Sequence, residues 1–161
     1  MMTLMLLAAL AQDPPREKTT KFTLEQGRLV LPGPILFEAG TAAIQKEAEA
    51  SLWVVVDFLE AKDYITKLRI EGHVDLAGEK GQTLSEQRAL AVAKWLVAKG
   101  VDPKRVLPVG FGAYKPVEDN ATPAGKAANR RIEFRPAELR GKALGGLPLD
   151  GGGNPAGDPS K

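Results

Sequence analysis

The chain has 161 residues, enough for one domain with a real core plus tails, and its 22 basic against 20 acidic side chains leave a net charge of +2. That balance, with aromatics at only 6%, argues against a nucleic-acid binder that works by phosphate neutralisation and base stacking. There is no cysteine, which excludes disulfides, cysteine-based zinc sites, a thiol nucleophile and, as the sequence stands, the acylated cysteine of a lipoprotein.

Residues 1–11 are mostly apolar and end on Ala9-Leu10-Ala11 before Gln12, an A-x-A cleavage pattern. The segment is short and lacks a basic start, so it reads as a truncated signal peptide and implies export to the periplasm. No stretch reaches the roughly 18 apolar residues of a transmembrane helix. Residues 12–21 are polar and carry two prolines, as a linker does. The folded unit is expected over residues 22–136.

It opens with short extended pieces at residues 22–24, 28–31 and 34–37, punctuated by Gly27, Pro32 and Gly33. A first helix is expected over residues 41–62, on the stripe Ile44, Ala48, Leu52, Val55 and Leu59. From Thr66 to Asp75 the period changes to two. Leu68, Ile70, Gly72 and Val74 face a core, and Lys67, Arg69, Glu71, His73 and Asp75 face water. After a loop at residues 78–81, Thr83 and Glu86 form a capping box that starts a second helix, which ends at Gly100. A strand follows at residues 105–111, then a long loop over 114–128 with one helical turn near 123–127, then a last strand at 130–135. Arg131, Glu133 and Arg135 read as its solvated face. The order predicts an α+β fold, β-α-β-α-β-β: a two-layer sandwich with two main helices packed on one face of a small mixed sheet. Residues 137–161, where ten of the last twenty-one are glycine or proline, read as a disordered tail.

The candidate chemistry centres on Asp75, at the end of the alternating strand, and Arg88, expected one turn inside the second helix. A carboxylate and a planar guanidinium fork on either side of a loop can hold a small zwitterion, ammonium to Asp75 and carboxylate to Arg88. The same residues could instead close on each other as a structural salt bridge. His73, the only histidine, shares a strand face with Glu71 and Asp75. Neither a metal site nor a catalytic pair with Ser85 is expected there, because side chains along one strand run parallel rather than converge. Trp53 and Trp95 read as packing residues rather than sugar platforms. No cofactor is implied.

Ile35-Leu36-Phe37, Gly72-His73-Val74-Asp75, Leu84-Ser85-x-x-Arg88-Ala89, Gly110-Phe111-Gly112, Asn120-x-Thr122 and Asn129-Arg130-Arg131-Ile132-Glu133 occur in that order. Together they resemble the OmpA-like peptidoglycan-binding domain shared by the C-terminal parts of OmpA porins, Pal lipoproteins and MotB stator proteins. The resemblance covers about residues 34–136. It implies an OmpA-C-like fold and non-enzymatic binding of cell-wall stem peptides, with Asp75 and Arg88 gripping the free end of meso-diaminopimelate beside Leu84. Asn120 and Arg130, by motif position, orient the loop and the aspartate. The ligand-binding set is thus Asp75, Leu84, Arg88, Asn120 and Arg130. The helix amides around Thr83–Glu86 are expected to favour an anion there.

Two residues depart from the family pattern: Val74 stands where threonine is usual, and Gly81 where asparagine is common. Either could weaken the site. The implied partner is diaminopimelate-containing peptidoglycan at the wall or outer membrane, with an envelope protein complex as a further possibility. The rival reading is an interaction scaffold on the same fold that no longer binds peptidoglycan.

Overall fold

The period-two segment becomes the central strand of the sheet, β3 (Ile65–His73), in a computed structural model that describes residues 13–161. The signal-like residues 1–11 lie outside the described part. On one side β3 pairs parallel with β4 (Val106–Gly110), and on the other antiparallel with β5 (Arg131–Leu139). A parallel pair needs a crossover, and α2 (Gly78–Ala98) supplies it. Two-residue strands lie at either edge, β6 (Lys142–Ala143) beside β5 and β7 (Asn154–Pro155) beside β4. The order is β6-β5-β3-β4-β7.

α1 (Glu49–Ala61) and α2 pack on one face. Leu52, Val55 and Leu59 from α1 meet Ala89, Val92 and Leu96 from α2 over Leu68, Ile70 and Phe134, none more than 1% exposed. Each large apolar side chain buried this way contributes about 1.5–3 kcal/mol. A third, short helix, α3 (Pro123–Asn129), starts where Thr122 Oγ1 accepts from Gly125 N at 3.0 Å. The fold class is therefore the expected one, with this third helix added.

Four expectations are corrected. Residues 41–45 are a hairpin arm, not the first turn of α1: Glu38 N donates to Ala43 O, Gln45 N donates to Leu36 O, and Phe37 bridges Ile44. Gly40, at φ +70, makes the turn. α2 begins at Gly78 without a side-chain cap, so Thr83 and Glu86 sit inside it. Residues 13–19 are not a free linker. Arg16 grips Asp57 with both terminal nitrogens at 2.7 and 2.6 Å, Thr19 N adds a third bond at 2.8 Å, and the Arg16 guanidinium covers the Trp53 ring at 4.0 Å. The supposed tail from residue 137 onward is ordered in part. It completes β5 and supplies β6 and β7, and Leu149 O accepts from Arg69 at 3.1 Å.

The far face of the sheet is also drier than alternation suggests. Glu71 and His73 are each 2% exposed and Glu133 is 8% exposed. The turn between β1 (Leu24–Glu25) and β2 (Arg28–Leu29) lies over them, with Arg135 donating to Gln26 O. The loop at Lys115 lies over them too, its carbonyl accepting from Arg131. Glu71 and Glu133 stand directly opposite each other on β3 and β5, a like-charge pair that needs compensation. Arg131 and Arg135 supply it, hydrogen-bonding Glu133 at 2.9–3.0 Å, while Arg69 and Arg135 flank Glu71 at 3.7 and 3.5 Å. Burial pushes Glu133 up, but those guanidinium bonds win and hold it below its usual range.

His73 stacks on Phe111, with centroids 5.1 Å apart and an interplanar angle of 6°. Burial first, then Arg131, pull its pKa from 6.5 down to about 3, against the opposing charge of Glu133. Between those values the unfolded chain binds a proton that the folded chain refuses. Its effect is therefore absent above about pH 6.5, and stability falls as pH drops toward 3, by up to about 1.4 kcal/mol per pH unit. Glu71, pushed up by burial, works in the opposite sense. Urea unfolding of the wild type and His73→Phe at pH 7 and pH 5 separates the two effects. The variant is expected to lose less stability on acidification than the wild type; equal losses would refute a buried neutral His73.

Candidate ligand-binding site

β3 ends at His73, and the ladder continues through Val74 N to Gly112 O and Phe111 N to Gly72 O. This delivers Asp75 to the rim of the sheet. α2 returns over the same strand at very close range, since a Cβ on Gly72 would stand 2.1 Å from Ser85 O. One strand end and one helix face therefore border a common cleft of about 600 Å³.

Asp75, Leu84, Arg88 and Arg130 all line that cleft. Asn120 does not. Its Nδ2 donates to Asp75 O at 3.3 Å, and its Oδ1 accepts from buried Asn129 at 2.7 Å. Asn129 in turn holds the loop by accepting from Val117 N and Glu118 N and donating to Glu118 O. Asn120 is thus a positioning residue.

Asp75 and Arg88 are not paired with each other. Asp75 Oδ2 takes a 3.0 Å bond from Arg130, and both partners keep solvent access, at 20% and 45% exposure. Arg88 is buried in the third turn of α2, its Nε donating to Thr41 O at 2.8 Å and its guanidinium lying 4.9 Å from the centre of the Phe37 ring. That carbonyl is its only hydrogen-bond partner among the described residues. Burial, then the charge of Arg130, lower its pKa, while Asp75 opposes the shift. It remains a cation at neutral pH.

The cleft therefore presents one carboxylate between two guanidiniums, on walls that include Leu36, Phe37 and Leu76. Sequence reasoning counted Phe37 among the motif residues but gave Thr41 no role, because it placed residues 41–45 in a helix. Gly40 was the available signal for a turn. The amides around Thr83–Glu86 lie inside α2 and contribute no anion site. Ser85 is no nucleophile: it is fully buried, donating to Gln82 O and accepting from Gly112 N.

The sequence pattern of the OmpA family matches residues 36–130. The chain belongs to the OmpA family. Among relatives, peptidoglycan-binding protein ArfA of Mycobacterium tuberculosis is 40% identical over 104 residues, covering 63% of this chain and 32% of that protein. Outer membrane porin F of Pseudomonas fluorescens is 37% identical over 101 residues, covering 62% and 31%. The chain thus matches about a third of the length of these OmpA-family relatives. Among solved structures, the cell wall anchor of the T6SS from Pseudomonas aeruginosa superposes with a TM-score of 0.54 at 30% identity, covering 62% of this chain and 72% of that one.

Gly81, one of the two departures named from the sequence, has a local cause. A Cβ there would stand 1.6 Å from Leu76 O, so only glycine lets the first turn of α2 settle on the loop after Asp75. Gly81→Asn is expected to destabilise by about 1–3 kcal/mol through overpacking, read as a lowered midpoint in thermal unfolding. An unchanged or raised midpoint would contradict the close contact.

Proposed function

We propose that this OmpA-family chain binds peptidoglycan without catalysis, gripping the free end of a meso-diaminopimelate side chain, and resides at the cell wall of the periplasm. The observation that carries this reading is the open arrangement of Asp75 and Arg88: opposite charges on one cleft, each held by other partners. The ligand's carboxylate would meet the free terminal nitrogens of Arg88 as a fork-to-fork pair. Its ammonium would meet Asp75, displacing or sharing the solvent-exposed bond from Arg130. Such an exposed ion pair stabilises by at most about 1 kcal/mol, so a ligand can exchange with it. Leu84, Leu36 and Phe37 give the methylene chain an apolar bed. The OmpA-family membership, a relative named for peptidoglycan binding and a structural neighbour described as a cell wall anchor support the same reading.

Co-sedimentation with diaminopimelate-type sacculi tests it. Wild-type protein should pellet, while Asp75→Ala and Arg88→Ala should bind at least about tenfold more weakly, as expected for a lost charged hydrogen bond. Circular dichroism must show both variants folded. Because Arg88 also holds Thr41 O, Arg88→Lys serves as a second probe: it keeps the charge, loses the fork and should also bind poorly. Wild-type protein left in the supernatant would favour an interaction scaffold on this fold.

Specificity is tested separately. Free diaminopimelate should raise the melting temperature and lysine should do so far less, because lysine's side-chain end lacks the carboxylate and leaves a desolvated guanidinium unpaired. Equal shifts would remove the assignment of Arg88.

A further inference from the structure

The ionisable side chains that line the Asp75 cleft do not balance. Arg88 and Arg130 face one carboxylate, which leaves a positive charge in excess. A bound zwitterion does not change that sum, because its ammonium and carboxylate cancel. With the ammonium at Asp75 and the carboxylate at Arg88, the guanidinium left over is that of Arg130.

The bonding of Arg130 points the same way. Its Nη1 donates to Asp75 Oδ2 at 3.0 Å, and its Nη2 and Nε have no partner among the described residues. A guanidinium carries five N–H donors, so most of this fork stays unused even while Asp75 is held. The side chain is 45% exposed and stands at the C-cap of α3, so it can turn toward a ligand without unpacking a core. Arg88 feels it across the cleft: after burial, the charge of Arg130 is what lowers the Arg88 pKa. The one side-chain amide on these walls, Gln45, turns its Nε2 to Phe37 O at 3.1 Å and brings no charge.

We propose that Arg130 is a second carboxylate receptor, so that the preferred ligand carries a further free carboxylate beside the zwitterionic end of diaminopimelate. This rests on the wall-binding reading and narrows it to stem peptides that are not amidated there. Where a γ-linked glutamate precedes diaminopimelate, two groups supply that chemistry. One is the α-carboxylate of the glutamate; the other is diaminopimelate's own second carboxylate when that residue ends the stem. A carboxamide at either place keeps the shape and removes the charge. The gain is modest, because a partly exposed ion pair changes affinity by at most about fivefold and is screened as salt rises.

Calorimetric titration of the full chain at low salt tests this with N-acetyl-γ-D-glutamyl-meso-diaminopimelate, its two monocarboxamides and its dicarboxamide. All four keep the zwitterionic end. The free dipeptide should bind up to about fivefold tighter than the dicarboxamide, and added salt should shrink the difference. The monocarboxamide that loses the advantage identifies the carboxylate Arg130 meets; if neither does, either group serves. In Arg130→Gln the free dipeptide and the dicarboxamide should bind equally, and Arg130→Lys should keep part of the preference. A structural role for Arg130 would instead weaken every ligand alike and leave the ratio as it was. Equal binding of free dipeptide and dicarboxamide by the wild type, or an unchanged ratio in Arg130→Gln, would overturn this inference and leave the wall-binding reading standing. Absence of saturable binding by all four would overturn both.

Discussion

The contact between α2 and β3 at Gly72 sets the spacing of the rest. A side chain at that position would collide with the backbone of the helix, so the strand and helix lie closer there than any other residue would allow. That proximity brings the end of β3 and the third turn of α2 to one rim. It also leaves Ser85 the task of bonding Gly112 N, which ties the returning β4 segment to the helix. A core of leucine, valine and phenylalanine supplies the free energy. The missing side chain determines where the two charges of the cleft end up.

Those charges remain apart because each has a competing attachment. Arg88 is drawn toward the 37–45 hairpin by a carbonyl and an aromatic face, and Asp75 is drawn toward the C-terminal end of α3 by Arg130. The two attachments differ in kind. The first is buried and rigid, so it orients the guanidinium; the second is exposed and weak, so it holds the carboxylate without sequestering it. A site assembled this way is preorganised on its cationic side and adaptable on its anionic side. The loop that carries Asn120 is in turn held by a single buried amide, Asn129, whose oxygen accepts from two backbone nitrogens.

Much of this was legible in the chain because the relevant signals are local. Alternation from Leu68 to Val74 located the central strand, and the stripe Ala48, Leu52, Val55 and Leu59 located the inner face of α1. What escaped depends on distant partners. Ile44 fits a helical stripe, but bonds back to Leu36 and Glu38 hold its segment extended. Glu71, His73 and Glu133 alternate as a wet face should, yet the β1–β2 turn and the Lys115 loop cover them, and no periodicity reports a cover. The two glycines at 78 and 81 signalled a loop, where the close approach to Leu76 makes the second of them a requirement of the helix.

The glycine-rich C-terminal stretch has a further consequence. A strand order that ended with β4 and β5 outermost would expose two rows of unsatisfied amides and carbonyls, ready to template pairing with another molecule. β6 and β7 are only two residues each, but each occupies part of such a row, and Pro155 within β7 has no N–H to offer a newcomer. Composition that looks like slack chain thus supplies backbone partners to part of each outer row.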